Sequence, residues 1–451
     1  MKREELATDP LKRGELGTGV GSLWEADAPP DPSSPALEGE QQADVCVIGA
    51  GYTGLAAALH LAMSGMSVVA LDGGGSGYGA SGRNGGQVLP GFKWDPDQLV
   101  ARFGAERGER IVAFAGSAPE LVYRTIDEHR IDCGLRRNCG WLNAAANDAA
   151  FAVQASRARQ WARRGAPVRL IDREEARQLL GTGRYRGALL DERAGAINPL
   201  AYARGLAAAA QRHGARVHRD SAVRSLRRAA DRWRAATERG AVIADQVLLC
   251  TNGYTDALWA GLAQDIVPIH SLQVATTPLP DRVRASILPR GHVVSDTQRI
   301  LIYFRLDDAG RLVLGGRGSL GENNRDSLYR FVENAARRLF PAIGNPEWEF
   351  RWSGKVALTA DHMPHVHELA PGVRTCLGYN GRGVAMASAM GTALAEWTRT
   401  GDAGVVPLPV EPLRPLPFHA FRRPVLEVIT AYCRLRDRIS GGAAERSRAA
   451  S

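Results

Sequence analysis

The fold is decided by residues 43–72, which read ADVCVIGAGYTGLAAALHLAMSGMSVVALD. Residues 45–48 form an almost wholly apolar run, which predicts a buried parallel strand. Residues 52–64 favour a helix that ends at Gly65, and the run MSVVALD predicts a second buried strand. The stretch is therefore predicted to fold as a βαβ unit, the building block of a parallel sheet.

The turn between the first strand and the helix carries Gly49, Gly51 and Gly54 in a G-x-G-x-x-G pattern. In a dinucleotide-binding fold the first glycine permits a tight turn, the second lets the backbone approach a diphosphate, and the third lets helix and strand pack closely. The diphosphate then lies on N–H groups at the positive end of the helix. Tyr52 and Thr53 belong to that first turn and are expected to contact the cofactor with the three glycines.

The segment after the second strand favours FAD over NAD. Asp72 ends this strand, where it can accept hydrogen bonds from ribose hydroxyls and would repel the 2′-phosphate of NADP. Residues 73–87 follow as GGGSGYGASGRNGGQ. A backbone with so few side chains can lie along a diphosphate and ribityl chain and pass beneath a flat ring system, although a flexible surface loop is the alternative. The expected cofactor contacts in this segment are Gly73, Ser81, Arg83, Asn84, Gly85, Gly86 and Gln87.

A second glycine turn opens a helix of small residues at 378–391, GYNGRGVAMASAMG. The N-terminus of such a helix, placed at the pyrimidine end of a flavin, would stabilise the negative charge that develops there on reduction. A plain strand-to-helix turn is the alternative. The expected cofactor contacts in this turn are Gly381, Arg382, Gly383 and Val384.

The rest of the chain alternates between two textures, which predicts an α/β architecture. A Rossmann-like FAD-binding domain is expected to be interleaved with a substrate domain of the α+β type, built from a mixed sheet and helices. The predicted parts are an N-terminal extension (1–40), a discontinuous FAD-binding domain (41–91, 186–264 and 351–400), a substrate domain (92–185 and 265–350) and a C-terminal tail with an amphipathic helix (401–451).

Composition argues against several partners. The net charge is +9, but only four of the 57 basic residues are lysine, which indicates an arginine-rich codon bias rather than a nucleic-acid surface. No run of residues is long and apolar enough to predict a membrane span. Six scattered cysteines and no secretion signal predict a cytoplasmic protein. The C-terminal helix leaves peripheral contact with an acidic membrane open, and packing against the protein itself is preferred.

Five segments resemble, in order, the FAD-dependent amine and amino-acid oxidoreductases of the D-amino-acid oxidase (DAO) family. The segments are DVCVIGAGYTGL, GYGASGRNGGQV, YFRLDDAGRLVLGGRG, WSGKVALTADHMPHV and GYNGRGVAMAS. Within the family the similarity is closest to the γ-glutamylputrescine oxidoreductase-like group. Members typically carry Trp where this chain has Tyr78, and many carry Glu where it has Asp72.

The resemblance implies an enzyme that oxidises a small amine or amino acid. Hydride passes from the carbon beside the amine to flavin N5, the imine hydrolyses, and O₂ or another acceptor reoxidises the flavin. It also implies that Val223 borders the adenine and that Thr251 and Gly253 lie near the diphosphate. Two alternatives remain: an FAD-binding subunit without turnover of its own, and an NAD(P) dehydrogenase.

Three residues are candidates for the substrate side. Strand alternation places Tyr303 and Arg305 on one face, where a guanidinium and a hydroxyl can clamp a carboxylate. Some family oxidases use a lysine near flavin N5 to promote reaction with O₂, and Lys355 is the candidate for that role. No metal is expected, because the spacing of His362, His365 and His367 fits no single helix or strand face that carries a carboxylate. The oligomeric state stays open.

Overall fold

In this computed structural model, the structure describes residues 22–318, 326–417, 419–421, 424 and 428. The helices are α1 (Leu23–Asp27), α2 (Tyr52–Met63), α3 (Pro96–Phe103), α4 (Ala105–His129), α5 (Asp148–Ala162), α6 (Arg173–Leu180), α7 (Pro199–Arg212), α8 (Asp281–Arg284), α9 (Asp326–Leu339) and α10 (Gly383–Thr400).

The strands are β1 (Gly39–Ile48), β2 (Val68–Leu71), β3 (Gln87–Val88), β4 (Trp141–Ala144), β5 (Val168–Ile171), β6 (Ala188–Asp191), β7 (Gly195–Ala196), β8 (Arg216–His218), β9 (Ser225–Ala229), β10 (Arg232–Ala236), β11 (Gly240–Leu249), β12 (Val267–Thr276), β13 (Val293–Asp296), β14 (Ile302–Leu306), β15 (Leu312–Arg317), β16 (Trp348–Leu358), β17 (His365–Ala370) and β18 (Val373–Leu377).

The first sheet has the strand order β17-β18-β11-β1-β2-β8, and β10 and β9 extend from β11. Strand β1 is parallel to both of its neighbours, β11 and β2. Its side chains alternate between two buried layers: Val45 and Val47 pack with α2, α7 and α10, while Cys46 and Ile48 pack on the other face. Burial on both faces explains why the run is apolar without alternation, and it confirms the predicted parallel strand.

The second sheet has the order β16-β12-β15-β14-β13-β4-β6-β5 and is antiparallel except where β4 pairs with β13. Ile302, Phe304 and Leu306 of β14 face a core shared with Tyr329 and Val332 of α9. The period-two alternation predicted for this strand is therefore confirmed. Strands β3 and β7 form a small separate ribbon.

The predicted fold class, an α/β fold with a Rossmann-like part and a second mixed part, is confirmed by these two sheets. The domain bounds stay a prediction, and sheet membership crosses them at three places. Strand β1 begins at Gly39, inside the predicted 1–40 extension, and β6 and β16 lie in the second sheet although 186–264 and 351–400 were assigned to the first domain. Strand β16 was assigned to the first domain because it precedes the glycine turn and α10, and α10 packs against the first sheet.

Two further expectations concern the ends of the chain. In the predicted N-terminal extension, Trp24 is buried against the second sheet. The predicted amphipathic helix of the C-terminal tail lies almost wholly outside the described residues. Among the residues that are described, the helices are too short or too polar for any of them to cross a bilayer.

Candidate active site

The glycine turn at the carboxyl end of β1 is fixed by its protein neighbours. Gly49 adopts φ +108°, which disfavours any residue with a Cβ, and an added Cβ would lie 2.7 Å from the Cys250 carbonyl oxygen. A Cβ on Gly54 would overlap the Gly49 carbonyl oxygen. The helix α2 begins directly after Gly51, whose lack of a side chain leaves the first-turn N–H groups to other partners.

Asp72 stabilises the same turn from the end of β2. Its Oδ2 accepts a hydrogen bond of 2.7 Å from Ala50 N, and its Oδ1 accepts from Gly74 N (2.8 Å) and Gly75 N (3.0 Å). Burial raises the pKa of Asp72, and these three N–H groups oppose that rise. The carboxylate thus orients the backbone on both sides of the expected ribose position, a role that sequence reasoning did not foresee.

The loop after β2 folds back onto the start of α2. Ser81 Oγ accepts a hydrogen bond of 2.9 Å from Tyr52 N, which is one of the first-turn N–H groups of the helix. Asn84 Nδ2 donates to the Ser81 carbonyl (2.8 Å) and to the Tyr52 hydroxyl (3.3 Å), while its Oδ1 accepts from Gly86 N (2.8 Å). Two of the polar residues in the loop therefore hold its shape.

The second sheet holds this loop from the opposite side. The carbonyl of Arg83 accepts a hydrogen bond from Trp352 Nε1 (3.1 Å) and another from Gln273 Nε2. The carbonyl of Asn84 accepts from Trp24 Nε1 at 2.8 Å. The Arg83 guanidinium carbon lies 4.8 Å from the Tyr78 ring centroid, so the arginine predicted at the flavin edge packs over its own loop.

The second glycine turn meets the first through buried hydrogen bonds. The hydroxyls of Thr53 and Tyr379 are 2.7 Å apart, which joins the first turn of α2 to the turn before α10. Gly378 N donates to Asn252 Oδ1 (2.9 Å), so the segment that holds Thr251 and Gly253 lies against the same turn. These contacts bring together three groups of residues predicted to bind the cofactor.

Arg382, at the N-cap of α10, points toward the second sheet. Its guanidinium carbon lies 4.3 Å from the ring centroid of Trp141 on β4. Burial lowers the pKa of Arg382 to about 9, and Nη1 has no hydrogen-bond partner among the described residues. A buried cation with an unused donor is suited to an anionic group, because an unpaired buried charge is costly.

Arg305 and Tyr303 lie on one face of β14 against the same loop. Arg305 is 4% exposed, its Nη2 donates to the Ile197 carbonyl (2.8 Å), and its guanidinium carbon lies 4.9 Å from the Trp24 ring centroid. Burial lowers its pKa to about 10. Tyr303 is half-buried, and its hydroxyl lies 2.9 Å from Ser271 Oγ.

The glycines of the loop make room for this pair. A Cβ on Gly85 would lie 2.8 Å from the Tyr303 ring, and one on Gly86 would lie 2.7 Å from Arg305 Nη2. The predicted clamp residues and the predicted flavin loop are therefore in contact.

Lys355 extends from β16 beside the loop. Its Nζ lies 4.9 Å from the Tyr254 ring centroid. The preceding residue, Gly354, packs against Arg83, because a Cβ added to Gly354 would lie 3.0 Å from the Arg83 Cβ. Tyr254 in turn lies beside Gly79, with 3.0 Å between its ring and an added Cβ. Lys355 is thus placed where the first loop, the 251–254 segment and the second sheet meet.

The remaining predicted residues lie around this centre. Val223 is buried with Leu71 at the end of β2, and Ser221 N donates to the Asp72 carbonyl (2.6 Å). Gln87 reaches away from the turn, because its Nε2 donates to the Val294 and Phe304 carbonyls (3.1 and 3.4 Å). Gly73, Gly381, Gly383 and Val384 occupy the two glycine-rich segments as predicted.

Sequence reasoning missed the aromatic residues that support the site. Tyr254, Tyr379 and Trp141 contact Lys355, Thr53 and Arg382 respectively, although each is far from its partner in sequence. Tyr254 follows Gly253 directly, so its position was the one available signal. The other contacts depend on how the two sheets meet, which a single sequence does not encode locally.

The residues present fit FAD. The glycine turn, the loop of 73–87 and the N-terminus of α10 meet in one surface, where Asp72 and Ser81 accept hydrogen bonds from the turn and Arg382 offers a buried, unused donor. An added Cβ on Gly51 would lie 2.9 Å from Ser81 Oγ, so a side chain at this position would displace Ser81 from the first turn of α2. The donor set suits a diphosphate and an electron-rich ring.

A Rossmann-like sheet with this donor surface, covered by a second mixed sheet, defines a flavin-dependent oxidoreductase. The chain belongs to the DAO family of FAD-dependent oxidoreductases, whose family model matches residues 44–397. The predicted family and the predicted cofactor, FAD, are thereby confirmed. The roles of the individual site residues stay predictions.

Curated relatives cover most of the chain. It is 33% identical over 404 residues to the γ-glutamylputrescine oxidoreductase of Escherichia coli K12, covering 88% of this chain and 93% of the relative. It is also 33% identical over 379 residues to the probable oxidoreductase OrdL of Rhizobium meliloti, covering 83% and 87%. Glycine oxidase from Geobacillus kaustophilus has a similar structure, with a TM-score of 0.67 at 22% identity, covering 79% of this chain and 95% of that one.

Proposed function

We propose that the protein oxidises the carbon–nitrogen bond of a small amine or amino acid. FAD, when bound, supplies the acceptor for the hydride that leaves the carbon beside the amine. The imine product then takes up water and releases ammonia or an amine with a carbonyl compound, and the electrons pass to O₂ or another acceptor. The E. coli relative, which is named for an amine substrate, supports this substrate class.

The residues of the chain have positioning roles in this proposal. Hydride loss can be driven by the lone pair of the neutral amine, so the site needs no strong general base. Arg305 and Tyr303 can bind a substrate carboxylate: Arg305 Nε is buried without a hydrogen-bond partner among the described residues, and a guanidinium offers paired donors to a carboxylate. Trp24 supports the guanidinium from behind.

Lys355 is proposed to promote reoxidation by O₂. It is half-buried, lies on the strand that passes under Arg83, and has its ammonium over the Tyr254 ring. A fixed positive charge there would stabilise negative charge that develops on oxygen.

We also propose a cytoplasmic location, because the five cysteines in the described part of the chain are all free thiols. Cell fractionation would check this location.

One observation carries the proposal: the loop of 77–87 is bonded to α2 through Ser81 and to the second sheet through the Arg83 carbonyl. The loop also contacts Tyr303 and Arg305 through Gly85 and Gly86, so a substrate bound beside the loop would reach these two side chains of β14. The same strand therefore faces both the cofactor loop and the substrate space.

The test is anaerobic reduction of the purified yellow protein. We expect the visible absorption of the flavin to bleach with at least one member of a panel of primary amines, secondary amines and amino acids, and to recover when O₂ or an artificial dye acceptor is added. Release of H₂O₂ on recovery would identify O₂ as the oxidant. Protein that keeps its FAD yet is bleached by dithionite and by no amine would contradict the proposal and favour a cofactor-binding subunit.

A further inference from the structure

Three side chains outside the active site converge at the edge of the first sheet. Asp265 Oδ2 lies 2.8 Å from His365 Nδ1 and 3.2 Å from His367 Nε2, and the three atoms all lie within 4.8 Å of one another. Asp265 is 3% exposed and His367 is 2% exposed. The histidine spacing alone predicted no metal here. That prediction did not include the carboxylate of Asp265, which lies 100 residues before His365 in the sequence.

The hydrogen bond made by Nδ1 of His367 determines whether Nε2, which faces Asp265, carries a hydrogen. His367 Nδ1 lies 2.7 Å from the Glu411 carbonyl oxygen, which can only accept a hydrogen bond, so Nδ1 carries a hydrogen. In the neutral ring Nε2 then has a lone pair, and that lone pair faces Asp265 Oδ2, which is another acceptor. Two electron-pair donors then face each other unless a proton or a metal ion lies between them.

His365 is arranged in the same way. Its Nε2 lies 3.1 Å from Asp361 Oδ1, which also accepts from Met363 N (2.9 Å), while Asp361 Oδ2 pairs with Arg102 (2.7 Å). Asp361 is thus an ionised acceptor, and His365 Nε2 must donate to it. The lone pair of a neutral His365 ring is on Nδ1 and also faces Asp265 Oδ2.

We propose that Asp265, His365 and His367 form a binding site for a divalent transition-metal ion of the Zn²⁺ class. Each histidine presents one nitrogen to the centre and has its other N–H held by a carbonyl or a carboxylate, which is the arrangement that orients histidine ligands of metals. Two imidazoles and one carboxylate are a usual donor set for zinc, with a fourth position for water. Ligands of one tetrahedral zinc ion lie roughly 3.4 Å apart, so loading would widen the present 2.8 and 3.2 Å separations slightly.

The site would join three separate segments. Asp265 lies just before β12, a strand of the second sheet. The two histidines lie at the start of β17, a strand of the first sheet. The Glu411 carbonyl behind His367 belongs to the C-terminal segment, which also contacts the sheet through Glu411 N to Val366 O (3.0 Å) and Leu416 N to Gln264 O (3.0 Å). The ion would therefore hold these segments together.

The first experiment measures metal content in the full-length, FAD-loaded protein without a histidine tag. After removal of metal by a chelator and equilibration with micromolar Zn²⁺, we expect about one zinc ion per chain. Asp265→Asn and His367→Gln should each weaken zinc binding by at least about tenfold. His362→Asn is the matched control: His362 is exposed, lies in the same segment outside the cluster, and has φ +60°, which asparagine tolerates.

A second measurement does not depend on the variants folding. X-ray absorption of the zinc-loaded wild-type protein should show two imidazoles among N/O ligands at about 2.0–2.1 Å. Chelation should speed amide hydrogen exchange at Glu411 and Leu416, whose N–H groups bond to Val366 and Gln264, while the FAD spectrum stays unchanged. The proposal is overturned if wild-type protein keeps less than about 0.1 equivalent of Zn²⁺, Co²⁺, Mn²⁺ or Fe²⁺ under these conditions, or if His362→Asn loses metal as fully as Asp265→Asn. Protons on the histidine nitrogens, and no metal ion, would then bridge the two histidines to Asp265.

Discussion

Arg305 is held on two sides before any substrate arrives. The Ile197 carbonyl binds Nη2, and the Trp24 ring covers the guanidinium, which leaves Nε as a buried donor. Fixing an arginine in this way lowers the entropy lost when it binds a carboxylate. The residue is therefore suited to select substrates by charge.

Replacing Arg305 tests this selectivity. For Arg305→Leu we expect KM for an amine that carries a carboxylate to rise about 100-fold, because two charge-assisted hydrogen bonds are lost, and KM for a neutral amine to change less than about threefold. Steady-state kinetics with a matched pair of substrates measures the difference. Arg136→Leu is the control, because it removes a positive charge near Arg305. The guanidinium of Arg136 donates to the Leu306 carbonyl and is not part of the proposed clamp. Equal changes for both substrates in Arg305→Leu would remove Arg305 from the clamp.

Single residues of the cofactor turn were predictable because their constraints are local. Gly49, Gly54 and Asp72 act within one βαβ unit, so their spacing was sufficient. The full role of Asp72 was not predictable, since its three N–H partners depend on how the loop after β2 turns back. Gln87 was assigned to the cofactor from its place in the loop, yet its side chain binds strands β13 and β14.

At the scale of elements, the contact between Thr53 and Tyr379 is the most direct link between the two glycine turns. Both side chains are buried, and burial raises the pKa of Tyr379 well above its usual range, so the phenol stays neutral. Helices α2 and α10 also pack closely, because a Cβ on Gly391 would overlap the Thr53 carbonyl. The two cofactor-facing helix ends are therefore held in a fixed relation.

Removing the hydroxyl of Tyr379 tests that link. We expect Tyr379→Phe to lower the free energy of unfolding by about 1–2 kcal/mol, because the Thr53 hydroxyl loses its buried partner, and to weaken FAD binding. Thr53→Val combined with Tyr379→Phe should recover part of the loss in a double-mutant cycle.

Tyr202→Phe is the comparison for this cycle, since its buried hydroxyl lies 3.2 Å from Ser388 Oγ between α7 and α10, away from the turn. It should lower the free energy of unfolding without changing the dissociation constant of FAD, which fluorescence titration measures. A Tyr379→Phe protein that binds FAD as the wild type does would show that the link is only structural.

The pairing of elements was only partly readable from the sequence. The apolar runs predicted β1 and β2, and the alternation in β14 predicted its buried face. Strand β16 was placed with the first domain because it leads into the second glycine turn, whereas it pairs with β12 in the second sheet. The order of elements along the chain does not show that β16 completes the second sheet before the chain goes back to the first sheet at β17.

On the scale of the whole molecule, the loop of 77–87 is the place where both sheets meet. It is bonded to α2 of the first layer and to Trp352 of β16 in the second. A ligand that occupies this junction contacts residues of both layers, and its binding energy therefore adds to the stability of both.

Hydrogen exchange should report this coupling. Removal of FAD is expected to speed exchange at least about tenfold in peptides that cover 77–88, 348–358 and 378–386, since binding adds RT ln(1 + [L]/Kd) to the opening energy. Peptides that cover β5 and α6, at the far edge of the second sheet, should exchange alike with and without FAD. Changes confined to the first sheet would contradict the placement of the cofactor at the junction.

The long-range clusters were beyond sequence reasoning for the same physical reason. Asp265, His365 and His367 meet only because β17 and the segment before β12 lie side by side in the folded protein. Likewise, the contacts of Trp24 with Asn84 and Arg305 follow from tertiary packing.

The position of Trp24 affects where the chain can be truncated. The family match begins at residue 44, so this tryptophan lies upstream of the shared domain, yet its indole touches the flavin loop and the candidate substrate arginine. A truncation to the matched region would therefore remove one side of the pocket around the Arg305 guanidinium along with a buried anchor, although every residue of the βαβ unit stayed in place.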